Sequence, residues 1–300
     1  LSGNLSSLIF SHNQIISSYL GKLVGFQDDL FAALNTAFMQ DCACVILPRN
    51  RSVNKPIHLL FVSTQSETTS YPRCLVVAES GSYATIIEDY VTIDENVYVT
   101  HSVAEVFLAE SAKVDHYRIQ RDSNQAFHIA NHAVGLSKSS CYTGINITFG
   151  AQISRFNLKA ELGGEGAECH VEGLTLVSGQ QLADTHTFID HIKPQGKSRQ
   201  IHKCIADDAA HGVFNGVVMV RPHAQQTDSA QMSRSLLLTN KAHIDAKPQL
   251  EIFADNVKCS HGATVGQLNK EEIFYLRSRG ISESVARNLL TYAFGGEIID

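Results

Sequence analysis

Tryptophan is absent from this 300-residue chain, and charge is scarce, with 18% Asp, Glu, Lys and Arg against the roughly 25% usual in soluble domains. Prolines number six, and no apolar run exceeds the six residues from Cys42 to Leu47. A membrane-spanning helix needs about 20 such residues, so no helical span is encoded. Lysine and arginine form no run longer than a pair and the net charge is −6, which removes the basic footprint that nucleic acid or acidic lipid requires. The seven cysteines are odd in number and fall in no framework spacing, which suits a reducing compartment, cytosol or organelle stroma, better than a secreted disulfide scaffold. No basic segment with an apolar core opens the sequence, which starts at Leu1, so a preceding segment is expected. What the chain does have is a 44% hydrophobic fraction, ample for a buried core, and fourteen histidines.

The stretch from Phe26 to Gln40 places Leu30, Leu34 and Phe38 at i, i+4 and i+8, one face of a helix. From Pro56 onward the texture changes to short β-rich pieces such as HLLFVS and RCLVVAE. The clearest alternation runs from Ser154 to Leu162, where Phe156, Leu158, Ala160 and Leu162 share one face. Comparable segments begin near Val114, His128, Cys141, Ser154 and Glu168, at intervals of 14, 13, 13 and 14, and again near Gln231, Ile244 and Val257, at intervals of 13 and 13. So regular a spacing predicts stacked rungs of short strands, a β-helix. A β-sandwich or double-stranded barrel is the competing arrangement. Two helices close the chain: one over about 270 to 279, capped by Asn269 with Glu272 three residues on, and one capped by Ser282, with Val285, Leu289, Leu290, Ala293 and Phe294 as its apolar stripe.

Among residues able to carry chemistry, Cys259 and His261 alternate onto one face of a strand, a soft thiolate beside an imidazole. The plain reading is a half-buried cysteine and a hydrogen-bonded histidine. Two ligands are too few for a closed zinc site, which takes four, so a metal here would draw the rest from elsewhere, such as another chain. In DTHTFIDH, Asp184, His186 and Asp190 fall on one face and His191 begins a turn; with His202 and His211 they could hold iron through two histidines and a carboxylate. Cys42 and Cys44 lack the redox CxxC spacing and read as core. Gly163, Gly164 and Gly166 precede a strand and fit neither a phosphate loop nor a dinucleotide fingerprint. No GxSxG elbow occurs.

The string from Phe214 to Ser282 closely resembles the SufB/SufD family of iron–sulfur cluster assembly proteins, and the resemblance extends upstream through Ala33 to Phe38 and Lys55 to Ser63. KCSHGATVG, Lys258 to Gly266, looks like the SufD branch. Cys42 departs from the glycine expected after the acidic residue. The resemblance implies a mainly β fold, a right-handed parallel β-helix over 51–267 between a remnant of an N-terminal helical region, 1–50, and a small C-terminal helical region, 268–300. It implies a noncatalytic scaffold with no tightly bound cofactor, which shares a transient iron or iron–sulfur cluster with SufB through paired β-helix bodies. It further implies His261 as the iron or cluster ligand, Cys259 as its neighbour, and a dock for the ATPase SufC through Ile273, Phe274, Leu276, Val285, Leu289 and Phe294. Alternatives are a SufB-like or homodimeric scaffold, and a β-helix or cupin-type metalloenzyme using Asp184, His186 and His191.

Overall fold

Strand after strand in this chain alternates small or apolar residues with polar ones over about ten residues, and each strand so patterned needs a dry surface under one face. The computed structural model, which describes residues 1–27 and 29–299, meets that need by coiling the chain into a parallel β-helix of about eight turns. One sheet runs through Ser2–Asn4, Ala43–Leu47, Arg73–Ala78, Tyr98–Leu108, Phe127–Leu136, Ile153–Leu162, Leu182–His191, His211–Val220 and His243–Ile252, with Thr68–Ser70 also paired to Tyr98–Leu108. The other runs through Ile57–Ser63, Tyr83–Thr92, Lys113–Arg121, Cys141–Phe149, Glu168–Val177, Lys197–Ala206, Asp228–Leu237 and Lys258–Gln267. All pairings are parallel except that of Ser2–Asn4 with Ala43–Leu47. The solenoid therefore begins at Ala43, inside the segment the sequence assigns to the helical remnant.

Register fixes the length of a turn. Ile153 lies opposite Leu182 and Lys197 opposite Asp228, so one coil takes about 30 residues, within the usual range for a solenoid repeat. The spacing of 13 to 14 seen in the sequence is thus half a turn, because each coil gives one strand to each sheet. Inside the first sheet an aliphatic ladder, Val45, Val76, Val106, Val134, Ala160, Ile189, Val218 and Leu250, runs the length of the molecule. Facing it, the second sheet carries a mixed row: Ile86, His116, Gly144, Val171, Gln200, Gln231 and His261.

One corner repeats in backbone alone. Gly81, Ser111, Ser139, Gly166, Gln195 and Gln226 all adopt positive φ, and each donates its N–H to a carbonyl one turn further on, at Glu110, Lys138, Glu165, Pro194, Gln225 and Asn256 respectively. Four of these six are not glycine; a left-handed turn is tolerated there because the stacked hydrogen bond satisfies a group that would otherwise be orphaned.

Among the described residues four helices flank the body. α1, Leu5–Tyr19, is not marked by the sequence patterns, and α2, Leu30–Phe38, is. The predicted apolar face of α2 is not the buried one: Leu30 and Phe38 are exposed, while Ala32 and Asn35 are sealed. Asn35 decides the orientation, since its amide donates to the carbonyls of Pro72 (2.9 Å) and His101 (2.7 Å) and its oxygen accepts from Arg73. Cys42 and Cys44 are core, and all seven cysteines are free thiols. At the other end α3, Lys270–Ser278, starts from Asn269, whose side chain accepts from the Glu271 N–H, and α4, Glu283–Gly296, from Ser282. α4 lies on the outer face of the second sheet, where Phe294 and Ile298 pack with Leu174, Ile205 and Leu236.

Candidate functional site

The last turn ends both sheets. His243–Ile252 and Lys258–Gln267 each pair on one side only, and among the described residues no strand covers the other. Cys259 and His261 both occupy inward positions of the Lys258–Gln267 strand, opposite Ser229 and Gln231. In earlier turns such positions are core; here Cys259 is half-buried against the core and His261 is exposed, because no further rung closes over them. Burial pushes the Cys259 thiol up, with a hydrogen bond from the Ser229 backbone opposing it in part. Behind His261, Gln231 and Gln200 are buried with side-chain amides that have no protein partner, so the column leading inward from the open end is polar. Among the described residues, neither Cys259 nor His261 belongs to a set of three converging ligand atoms.

The residues of the metalloenzyme alternative are not brought together. Asp184 and His186 lie on the outer face, His186 Nε2 at 2.8 Å from the carboxylate, which also accepts from Arg155 at 2.6 Å. His191 is the last residue of its strand and points inward, 2.9 Å from Ser198 Oγ. Asp190, expected beside His186, is buried and gripped by Arg221. His202 is sealed against Phe214, ring centroids 4.4 Å apart. Burial pushes His191 down to about 4 and His202 down to about 3, so both are neutral structural groups. Asp184, His186 and His191 therefore form no common site, because strand alternation sends His191 to the opposite face.

A buried electrostatic cluster escaped the sequence reading. Glu88, His116 and His132 meet inside the solenoid, His116 Nε2 2.8 Å and His132 Nε2 3.5 Å from the carboxylate. Tyr90 donates to Glu88 at 2.9 Å, and the Tyr142 hydroxyl is 3.1 Å from His116 Nδ1. Burial pushes the Glu88 carboxyl up, but the two imidazoles more than offset it and hold it well below the usual carboxylate range. Strand parity marks Glu88 and His116 as inward; their meeting with His132 across the two sheets has no local signal.

The residues expected to dock a partner fall into two sets. Phe274, Val285 and Leu289 are exposed, with Tyr292 one turn beyond Leu289 also exposed; Ile273 and Leu276 are half-buried. Phe294 instead anchors α4: Lys203, itself buried, sits 4.8 Å over its ring and donates to its carbonyl at 2.6 Å. A concavity of about 930 Å³ lies at the opposite end of the solenoid beside Leu60, Tyr71 and Tyr98, and none of the convergent ligand groups found among the described residues lines it.

Fold and site together define a class: a parallel β-solenoid whose final turn leaves two sheet edges unpaired and a Cys–His pair half-buried to exposed among the described residues. More narrowly, the chain belongs to the SufBD family of the SUF system for iron–sulfur cluster assembly. Residues 61–294 match the SufBD core domain of that system and residues 1–59 the SufBD N-terminal region. It is 43% identical over 98% of its length to an iron–sulfur cluster assembly SufBD family protein of Synechocystis, covering 67% of that protein. It is 33% identical over 91% of its length to the iron–sulfur cluster assembly protein SufD of Escherichia coli, and 34% identical over 99% to the chloroplastic protein ABCI7 of Arabidopsis thaliana, covering 66% and 64% of them. The chain thus spans about two thirds of the length of these relatives. No helix among the described residues is long and apolar enough to cross a membrane.

Proposed function

We propose that the chain acts as a SufD-type scaffold without catalysis of its own, in an assembly with SufB and the ATPase SufC, in a bacterial cytosol or plastid stroma. The observation that carries this reading is the open last turn. Its two edge strands offer unpaired backbone groups to a second β-helix body, and they present Cys259 and His261 where a partner could complete the ligand set. Iron or a nascent cluster is then cargo shared across that edge, held by His261 with Cys259 beside it. SufC docks on α3 and α4 through Phe274, Val285 and Leu289, the exposed members of the expected set, while Phe294 holds the platform to the body.

Co-expression with SufB and SufC followed by anaerobic reconstitution tests this reading. His261→Ala is expected to leave the complex intact and lower cluster yield about tenfold, the usual scale for losing one group that tunes metal affinity. Unchanged yield overturns the assigned role, and a mass equal to two copies of this chain with no SufB bound favours the homodimer.

A further inference from the structure

We propose that His211, His243 and Asp245 form a binding site for one divalent transition-metal ion on the outer face of the last two turns. Parallel register sets His211 opposite His243, with ring centroids 4.9 Å apart. Asp245 follows two residues after His243 and so points to the same side. Both imidazoles turn Nε2 toward this one carboxylate, His211 at 2.8 Å from Oδ2 and His243 at 3.2 Å from Oδ1. The residue opposite Asp245 is Val213, and among the described residues no lysine or arginine pairs with the carboxylate.

Two imidazoles and a carboxylate with one side open to solvent make a ligand set for Fe²⁺, Co²⁺, Ni²⁺ or Zn²⁺ rather than for Mg²⁺ or Ca²⁺. Metal–ligand bonds near 2.1 Å place neighbouring donors about 3.4 Å apart in a tetrahedron. The two imidazole–carboxylate contacts, 2.8 Å and 3.2 Å, are close to that spacing, and the three donor atoms all lie within 4.8 Å of one another on side chains that are at least partly exposed. The two other convergent groups among the described residues lack this freedom. Glu88, His116 and His132 are sealed and already bonded to Tyr90 and Tyr142. Beside Cys141 and His170, Glu168 is held by Lys197 at 2.9 Å. The alternative for His211 and His243 is a plain ion pair with Asp245, which needs at least one imidazole protonated.

Titration of the full chain with Co²⁺ at pH 7.5, followed by visible absorption and by competition with Zn²⁺, decides between the two. One saturable equivalent is expected, weakened roughly tenfold or more by each of His211→Ala, His243→Ala and Asp245→Asn. All three positions are at least partly exposed, and an unchanged melting temperature in each variant shows that the fold survives. His261→Ala should leave this equivalent in place, which separates the site from the assembly reading. Absence of a saturable equivalent, indifference to all three substitutions, or loss on His261→Ala alone overturns the proposal.

Discussion

The middle turns and the last turn of this solenoid carry the same alternation and meet opposite fates. At Lys113–Arg121 the inward residues Val114, His116, Arg118 and Gln120 are all sealed. At Lys258–Gln267 the inward residues Cys259, His261, Ala263 and Val265 are half-buried or exposed. The difference lies in the neighbours, since a rung becomes core only when another rung lies on each side. A middle turn can therefore afford a buried ionic cluster such as Glu88 with His116 and His132, closed off from water. The last turn instead leaves its inward positions half-buried or exposed.

Three measurements would break or sharpen that contrast. The largest effect is expected in the middle: Glu88→Leu removes the carboxylate that His116 and His132 face and should destabilise the chain by about 3–5 kcal/mol in urea unfolding, the scale for breaking a buried pair. A loss under about 1 kcal/mol, the ordinary surface range, would mean the cluster is not the closed unit described. The next concerns the C-terminal platform. Phe294→Ala should lower stability by about 2 kcal/mol through lost packing on Leu174 and Ile205, whereas Val285→Asp on the free side of α4 should stay within about 0.5 kcal/mol. Equal losses in thermal unfolding would erase the distinction between the anchored and the free side of α4.

The third effect is graded. His202 and His191 are neutral in the fold, pushed down to about 3 and about 4 from an ordinary 6.5, so on acidification the unfolded chain takes up protons first. Their contribution is complete above about pH 6.5 and is lost as pH falls toward 4, at a slope approaching 1.4 kcal/mol per pH unit for each imidazole. His202→Leu should make that acid slope shallower in melts run from pH 7 to 4.5. An unchanged slope would place the acid sensitivity elsewhere.

Much of this was legible in the residues. Alternation fixed which side of each strand is dry, and it correctly paired Cys259 with His261 and Asp184 with His186. Caps at Asn269 and Ser282 located α3 and α4. The full turn was not legible, because strands of the two sheets share one local texture and the half-turn dominates the spacing. The strand sought near Gln231 starts at Asp228, after a longer corner. α1 is rich in serine and kinked at His12, so it gives little periodic signal. Sites built across turns lie beyond pattern reading altogether: His211 and His243 stand a full coil apart along the chain and side by side in the sheet.

The stacked corner from Gly81 to Gln226 has one more consequence. Its contacts join backbone to backbone one coil apart, so a whole coil could be added or removed without disturbing the remaining ones, whereas a partial coil would throw every later strand out of step. The body is in effect a ruler graduated in single turns of roughly 4.8 Å. The eight stacked strands of the second sheet set its first strand about 34 Å from the uncovered edge, and α4, clamped over Leu174, Ile205 and Leu236 on three successive strands, braces the marks just before the last.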